Sequence, residues 1–191
     1  MMVFVYGGSG SGKSAFAEKR ISELNKGNSL YYLATMHVFD NEDLERIKRH
    51  KKLRLGKGFI TLEKSKNVGD ILDELNKEKS DILLECMSNL VANEMFDEEI
   101  YKENDAGSNN DNIIGDDKIK LIFKKIKKDI LKLKEGSENL VIVSNNIFED
   151  GYTYDKSVED YKRLLGDINR YITMISDEVW EVVAGIPIRV K

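Results

Sequence analysis

Residues 3–14 read Val-Phe-Val-Tyr-Gly-Gly-Ser-Gly-Ser-Gly-Lys-Ser, and no other stretch constrains the chain as tightly. The apolar run 3–6 predicts a short buried strand, and turn-forming residues follow it at once. Gly7 and the Gly12-Lys13-Ser14 triplet stand at the G-x-x-x-x-G-K-[ST] spacing of a phosphate-binding loop. A loop that wraps phosphates needs positive φ angles and a close backbone approach, and a Cβ obstructs both, so glycine dominates there. Its N–H groups form an anion nest at the start of a helix, where the helix dipole also favours negative charge. Lys13 is then placed to reach the β- and γ-phosphates, and the Ser14 hydroxyl to ligate Mg²⁺. A flexible Gly/Ser linker shares the composition but lacks the strand before and the helix after.

The totals narrow the setting. At 191 residues, 41% hydrophobic and 34% charged, the chain fits one medium globular domain, 1–191. A net charge of −4 argues against general nucleic-acid binding, so any basic patch must be local. A single cysteine, Cys86, excludes an intrachain disulfide framework and suits a reducing compartment. No apolar stretch approaches the ~20 residues of a membrane span, and the N-terminus leads straight into the first strand without room for a signal peptide. The expectation is a cytoplasmic protein with neither membrane nor nucleic acid as partner.

Along the chain, strands alternate with helices. A first helix carries Ala17, Ile21 and Leu24 at helical spacing and ends at Lys26-Gly27-Asn28. Residues 29–36 (SLYYLATM) predict a second buried strand, and Asp40 or Asn41 caps a basic helix over 42–52. Residues 59–63 alternate as a short strand, 68–75 read as an amphipathic helix, and 81–85 as a buried strand ending in a carboxylate. A helix over 87–96 precedes residues 97–117, whose polar composition reads as a mobile insertion. Ile119, Ile122, Phe123, Ile126, Ile130 and Leu133 line one side of a helix over 118–135, which Gly136 terminates. Residues 140–144 form another buried strand ending at Asn145-Asn146. A long helix over 155–176 follows, with a bend expected at Gly166. The end, 178–183, a turn over 184–187 and 188–190, suggests an antiparallel edge hairpin. The pattern is α/β with a mainly parallel sheet flanked by helices.

A second stretch carries chemistry. Arg46, Lys48, Arg49, Lys51, Lys52, Arg54 and Lys57 surround His50, one of two histidines in the chain. Such a cluster is ordinarily a solvated helix face. Beside a phosphate loop it acquires another use. Clustered cations disfavour a further positive charge, so they hold the His50 imidazole neutral and nucleophilic, and they stabilise charge on a phosphorus under attack. A phosphoramidate intermediate suits that arrangement; His37, without such surroundings, reads as incidental. Glu85, at the carboxyl end of a buried strand, stands where P-loop proteins keep a carboxylate for Mg²⁺. Glu63 has a similar place at the end of its strand, and Cys86 reads as a small buried residue.

The chain resembles the bifunctional adenosylcobinamide kinase/adenosylcobinamide-phosphate guanylyltransferase family of cobalamin biosynthesis. The likeness rests on GGSGSGKS at 7–14, YLAT at 32–35, Asp40 and Glu42 followed by RIKRHKKLR at 46–54, and LLECMSNLVAN at 83–93. It continues in VIVSNN at 141–146, GDIN at 166–169 and DEVWEVVAGIPIRVK at 177–191. The chain departs from the family pattern in Leu55 after Arg54, in Asn146, in Lys162-Arg163 and in the 97–117 segment. The resemblance implies a RecA-like P-loop fold assembled as a homotrimer. It implies that Gly7, Gly8, Ser9, Gly10, Ser11, Gly12, Lys13 and Ser14 hold a triphosphate while Ala34, Thr35 and Met36 line the nucleotide site. Lys51, Lys52, Leu53 and Arg54 would contact phosphates, and Glu63 and Glu85 would complete the GTP site. His50 would become covalently attached to GMP.

The implied function uses ATP and GTP with Mg²⁺. A nucleoside triphosphate phosphorylates the corrinoid adenosylcobinamide, and GMP from GTP then passes through His50 to give adenosylcobinamide-GDP. The nearest alternative is a monofunctional P-loop small-molecule kinase without guanylyl transfer. A GTP-binding switch is opposed by the want of Asn-Lys-x-Asp and Asp-x-x-Gly motifs, and a nucleic-acid module would rest on the 46–57 cluster alone.

Overall fold

A computed structural model describes residues 1–36, 56–75, 80–96 and 115–191. The predicted basic helix over 42–52, both histidines and nearly all of the 97–117 insertion lie outside the described residues.

Among the described residues, seven strands form one sheet. β1 (Met2–Gly7), β2 (Ser29–Ala34), β3 (Phe59–Glu63), β4 (Ser80–Glu85), β5 (Asn139–Asn145), β6 (Glu178–Val183) and β7 (Ile186–Arg189) stand in the order β3-β2-β4-β5-β1-β6-β7. Every pairing is parallel except β6 with β7. The apolar sequence of β1 follows from its place, between β5 and β6 and covered on both faces. With β1 inside a parallel sheet and the phosphate loop at its carboxyl end, the chain has the RecA-like P-loop architecture that the sequence led us to expect.

Alternation along each strand divides the core in two. Val3, Val5, Leu83, Val141 and Val143 face α1 (Lys13–Leu24), which buries Ala17 and Ile21 against them. Phe4, Leu33, Ile82, Leu84 and Ile142 face the opposite layer, built from α2 (Met87–Met95), α3 (Asp116–Gly136) and α4 (Lys156–Ile175). The predicted stripe of α3 is the one buried: Ile119, Ile122, Ile126, Ile130 and Leu133 turn inward, with Phe123 partly buried against the same core. Each fully buried side chain of that size contributes roughly 1.5–3 kcal/mol. At the sheet's amino edge, away from the phosphate loop, buried Asp81 accepts hydrogen bonds from Asn25, Asn28 and Asn139 and ties α1, β4 and β5 together.

The elements depart from the sequence reading in three places. Residues 68–75 form a 3₁₀ helix, Val68–Asp73, rather than an amphipathic α-helix. Gly69 lies so near α3 that a Cβ there would stand 2.7 Å from Asp129 Oδ1. α3 begins at Asp116, so Asp116 and Asp117 belong to its first turn, where their charges suit the helix dipole, and not to the insertion. α4 runs without a break from its Asp155 cap, whose carboxylate accepts from Val158 N at 3.0 Å, past Gly166 to Ile175. The closing turn is shorter than 184–187. Ala184 (φ 49°) and Gly185 (φ 82°) alone turn the chain, as a two-residue hairpin demands, and Pro187 sits in β7, whose edge position tolerates a missing N–H.

Candidate functional site

The site forms where β1, β4 and β2 end on the same edge of the sheet. Register sets the row: Ala34 of β2 lies between Glu63 of β3 and Glu85 of β4, and Gly7 of β1 is level with Asn145 of β5. Residues in register on parallel strands point to the same face, here the face that α1 covers.

The loop from Gly7 to Ser14 leaves β1 and returns as α1. Gly10 (φ 69°) and Gly12 (φ 88°) hold the left-handed conformations that curl the backbone, and Ser11 N closes the turn on Gly8 O at 3.2 Å. Gly7 is required for a different reason: a Cβ on it would stand 2.4 Å from the carbonyl oxygen of Val182. The β6–β7 hairpin thus braces the loop from beneath, and Gly185 N donates to Ser11 O at 2.8 Å. No local pattern in the sequence signals that contact, since it joins residues 174 apart.

Lys13 is buried, and its ammonium donates to Gly8 O at 3.0 Å, across the loop. Burial lowers its pKa from the ordinary lysine value, while neighbouring Cys86 and Glu85 pull the other way. An ammonium stripped of water in this way gains more from a polyphosphate than a solvated one does.

The Ser14 hydroxyl donates to Glu85 Oε1 in a very short contact, and the Tyr32 hydroxyl donates to Glu85 Oε2 at 2.9 Å. The carboxylate is therefore held by both oxygens beside the phosphate loop. A hydroxyl and a carboxylate side by side are hard oxygen donors, the set that Mg²⁺ takes together with phosphate oxygens and water. No group of three or more His, Cys, Asp or Glu side chains gathers among the described residues. Tyr32 lay inside the quoted YLAT stretch, but nothing in the sequence says that its hydroxyl meets Glu85, 53 residues on.

The other expected positions divide. Thr35 is fully buried and splices β2 to β4: its Oγ1 donates to Cys86 O at 2.7 Å and accepts from Cys86 N at 2.8 Å. Its carbonyl accepts from Asn93 Nδ2 at 2.7 Å. Ala34 and Met36, on either side, are half-buried at the same edge. Glu63 is exposed at the end of edge strand β3, two strands from Glu85, hence about 10 Å away across the sheet. His50, Lys51, Lys52, Leu53 and Arg54 lie outside the described residues.

Cys86 is buried, as its composition suggested, and burial raises its thiol pKa, opposite to what a nucleophile needs. Beside it runs a polar chain that sequence reasoning missed. Asn145 Nδ2 donates to Ser88 Oγ at 2.7 Å, and the Tyr161 hydroxyl donates to Ser88 O at 3.1 Å. Burial, with the Cys86 charge adding to it, pushes the Tyr161 phenol up to about 12, so the hydroxyl remains a donor at any physiological pH.

Comparisons with known proteins bear on this geometry. A family model described as "CobU: Cobinamide kinase / cobinamide phosphate guanyltransferase" matches residues 3–190. The chain is 26% identical over 193 residues to the "Bifunctional adenosylcobalamin biosynthesis protein CobU" of Escherichia coli (strain K12), covering 100% of both chains. It is 27% identical over 194 residues to the protein of the same name from Salmonella typhimurium (strain LT2), again covering 100% of both. Among solved structures, the flagellar accessory protein FlaH from Methanocaldococcus jannaschii aligns over 100% of this chain and 77% of its own, at 15% identity and a TM-score of 0.47. No helix among the described residues is long and apolar enough to cross a membrane. A family match over almost its whole length makes the chain an enzyme of the cobinamide kinase / cobinamide phosphate guanyltransferase family.

Proposed function

We propose that the chain carries out both reactions in one domain, 1–191: phosphorylation of adenosylcobinamide, then guanylyl transfer to the product. The observation that carries the reading is the Ser14–Glu85–Tyr32 arrangement beside the desolvated Lys13, a site shaped for a magnesium-bound triphosphate.

In the first reaction the loop glycines and Lys13 hold the β- and γ-phosphates of the donor. The aminopropanol hydroxyl of the corrinoid attacks the γ-phosphorus; a new P–O bond forms, the bond to the β-phosphate oxygen breaks, and the hydroxyl proton leaves. The chain's contribution is positioning and charge stabilisation, since the backbone N–H nest and Lys13 need no rearrangement as charge shifts. A Mg²⁺ ion held by Ser14, Glu85 and the phosphates would neutralise part of that charge.

In the second reaction His50 attacks the α-phosphorus of GTP. An N–P bond forms and pyrophosphate leaves. The phosphate oxygen of the phosphorylated corrinoid then attacks the same phosphorus, breaking the N–P bond and giving adenosylcobinamide-GDP. Lys51, Lys52 and Arg54 are the cations expected to face that phosphorus, with Glu63 toward the guanosine. The run of cations around His50 in the sequence supports the reading, as does the family match. The same match, and the resemblance in the 46–54 segment, support a cytoplasmic homotrimer.

The test uses GTP labelled in its α-phosphate. Acid-labile, alkali-stable label is expected on the wild-type chain and absent from His50→Ala, with pyrophosphate released in equal amount. A wild type that phosphorylates cobinamide but never takes up label is a kinase only, and the guanylyl-transfer half of the proposal fails.

A further inference from the structure

Between the strand that feeds the phosphate loop and the strand that ends in Glu85 runs β5, and its last residue is Asn145. Asn145 is level with Gly7, so their Cα atoms are about 5 Å apart on adjoining strands. Val143, two residues earlier on the same face, is level with Glu85. Asn145 therefore stands on the face of the site row, about 7 Å farther along the strand direction than Glu85. No step derived above uses it.

The side chain is held by its nitrogen. Asn145 Nδ2 donates to Ser88 Oγ at 2.7 Å and reaches Cys86 Sγ at 3.9 Å. Ser88 Oγ lies 2.9 Å from Cys86 Sγ, and the Tyr161 hydroxyl of α4 donates to Ser88 O at 3.1 Å. Ser88 and Cys86 are buried, whereas Asn145 is half-buried. With the NH₂ end turned inward, the carboxamide oxygen is turned away from these partners, and it accepts from none of the described residues. Buried Lys13 is near enough to Cys86 for their charges to interact, which places the lysine beside the same cluster.

Chemistry decides what that oxygen can meet. Phosphate oxygens are acceptors and carry the negative charge, so a carbonyl oxygen beside them needs a donor instead. Lys13 and the backbone N–H groups serve the phosphates, and Ser14 with Glu85 offers ligands to a metal. The donor left without a partner in a loaded site is the hydroxyl that attacks the γ-phosphorus. A carboxamide is no base and does not remove that proton. It holds the O–H in one direction and so aims a lone pair at phosphorus. A loose transition state asks for no more, because positioning and charge stabilisation supply nearly all of the catalysis.

We infer that Asn145 is a catalytic residue of the phosphoryl transfer, its Oδ1 accepting a hydrogen bond from the attacking hydroxyl. The new P–O bond forms as the bond to the β-phosphate oxygen breaks, and the hydroxyl proton passes to an oxygen of the transferred phosphoryl group. Ser88 is the positioning residue behind it. The inference rests on the kinase reading above and deepens it by naming the group that orients the nucleophile.

The test follows ATP-dependent phosphorylation of cobinamide by the full chain for wild type, Asn145→Ala and Ser88→Ala. It reads kcat, KM for ATP and the Mg²⁺ concentration at half-maximal rate, with affinity for a fluorescent ATP analogue and the thermal transition alongside. Asn145→Ala is expected to lose at least about tenfold in kcat, while nucleotide affinity and Mg²⁺ dependence stay within about twofold of wild type. Ser88→Ala should lose less, about three- to tenfold, and in the same parameter. A kcat for Asn145→Ala within about twofold of wild type overturns the assignment. So does a loss recovered by raising Mg²⁺, which gives the oxygen to a metal-bound water, and so does a loss matched by weaker nucleotide binding, which a merely structural role produces. If Asn145→Ala does not fold, Ser88→Ala decides, and an unchanged kcat there removes the inference. A wild type that does not phosphorylate cobinamide at all brings down the kinase reading itself, and the inference with it.

Discussion

Alanine placed at each glycine of the phosphate loop should separate three physical demands that a sequence motif lumps together. At Gly7 the new Cβ would lie 2.4 Å from Val182 O and 2.7 Å from Ser11 Oγ. Backbone cannot swing aside as a side-chain tip can, so β6 or the loop must shift, an overpacking cost of about 1–3 kcal/mol. The smaller unfolded-state entropy of alanine returns only ~0.4–1 kcal/mol. Gly12 combines φ 88° with a Cβ that would stand 3.3 Å from Gly185 Cα; Gly10 has φ 69° and open space. Those two should cost about 1–2 kcal/mol each through the left-handed backbone, Gly12 more than Gly10. At Gly8 a Cβ meets nothing within 4 Å and φ is not left-handed, so the entropy term acts unopposed. Gly8→Ala should be neutral or stabilising by up to ~1 kcal/mol. For a chain of this size 1 kcal/mol moves Tm by about 2–4 °C, so Gly7→Ala should melt up to roughly 10 °C below wild type, and Gly8→Ala at or just above it. Calorimetry without nucleotide is the assay. A Gly8→Ala melt as low as that of Gly7→Ala would refute the steric reasoning and assign the loop's glycines to a common, unresolved cause.

Two further substitutions test the ionic layer. Burial, reinforced by the charge of Glu94, raises the Asp129 carboxyl above its ordinary range, and its buried Oδ2 has no hydrogen-bond partner among the described residues. Ionised Asp129 is the unfavourable form, so its penalty is absent below the unfolded value near ~3.9 and complete once pH exceeds the folded one. Asp129→Asn should therefore stabilise the fold by about 1 kcal/mol at pH 8, with the gain fading toward pH ~4; denaturant melts across that range check it. Arg20 holds almost fully buried Glu178 through two hydrogen bonds of 3.0 and 2.7 Å, fastening α1 to β6. Burial would raise the Glu178 carboxyl, but Arg20 and Trp180 outweigh it and keep it below the ordinary value. Arg20→Ala leaves that carboxylate with Trp180 Nε1 and should cost about 2–4 kcal/mol near neutral pH. The stabilisation is present above the unfolded value near ~4.3 and is lost as pH falls through the folded one, so the two melts should converge in acid.

What could be read from residue order divides along the range of the interactions. The phosphate loop was legible because its chemistry is local: eight consecutive residues specify the turn, the nest and the helix start. The stripe of α3 and the buried strands were legible because 3.6- and 2-residue periods mark a face. Residues 68–75 misled, since propensity cannot see that Gly69 must press against α3. The closing turn misled because Pro187 reads as a breaker until its edge position is known.

By itself the amino-acid sequence determined that this chain would be an α/β P-loop protein, and its motifs already resemble those of the family. Only the tertiary structure decided that Glu85 receives hydrogen bonds from both Ser14 and Tyr32, and that the 184–185 turn braces the phosphate loop. Those contacts join residues up to 174 positions apart. They depend on strand order and register, which arise when the whole core assembles and which no window of sequence contains.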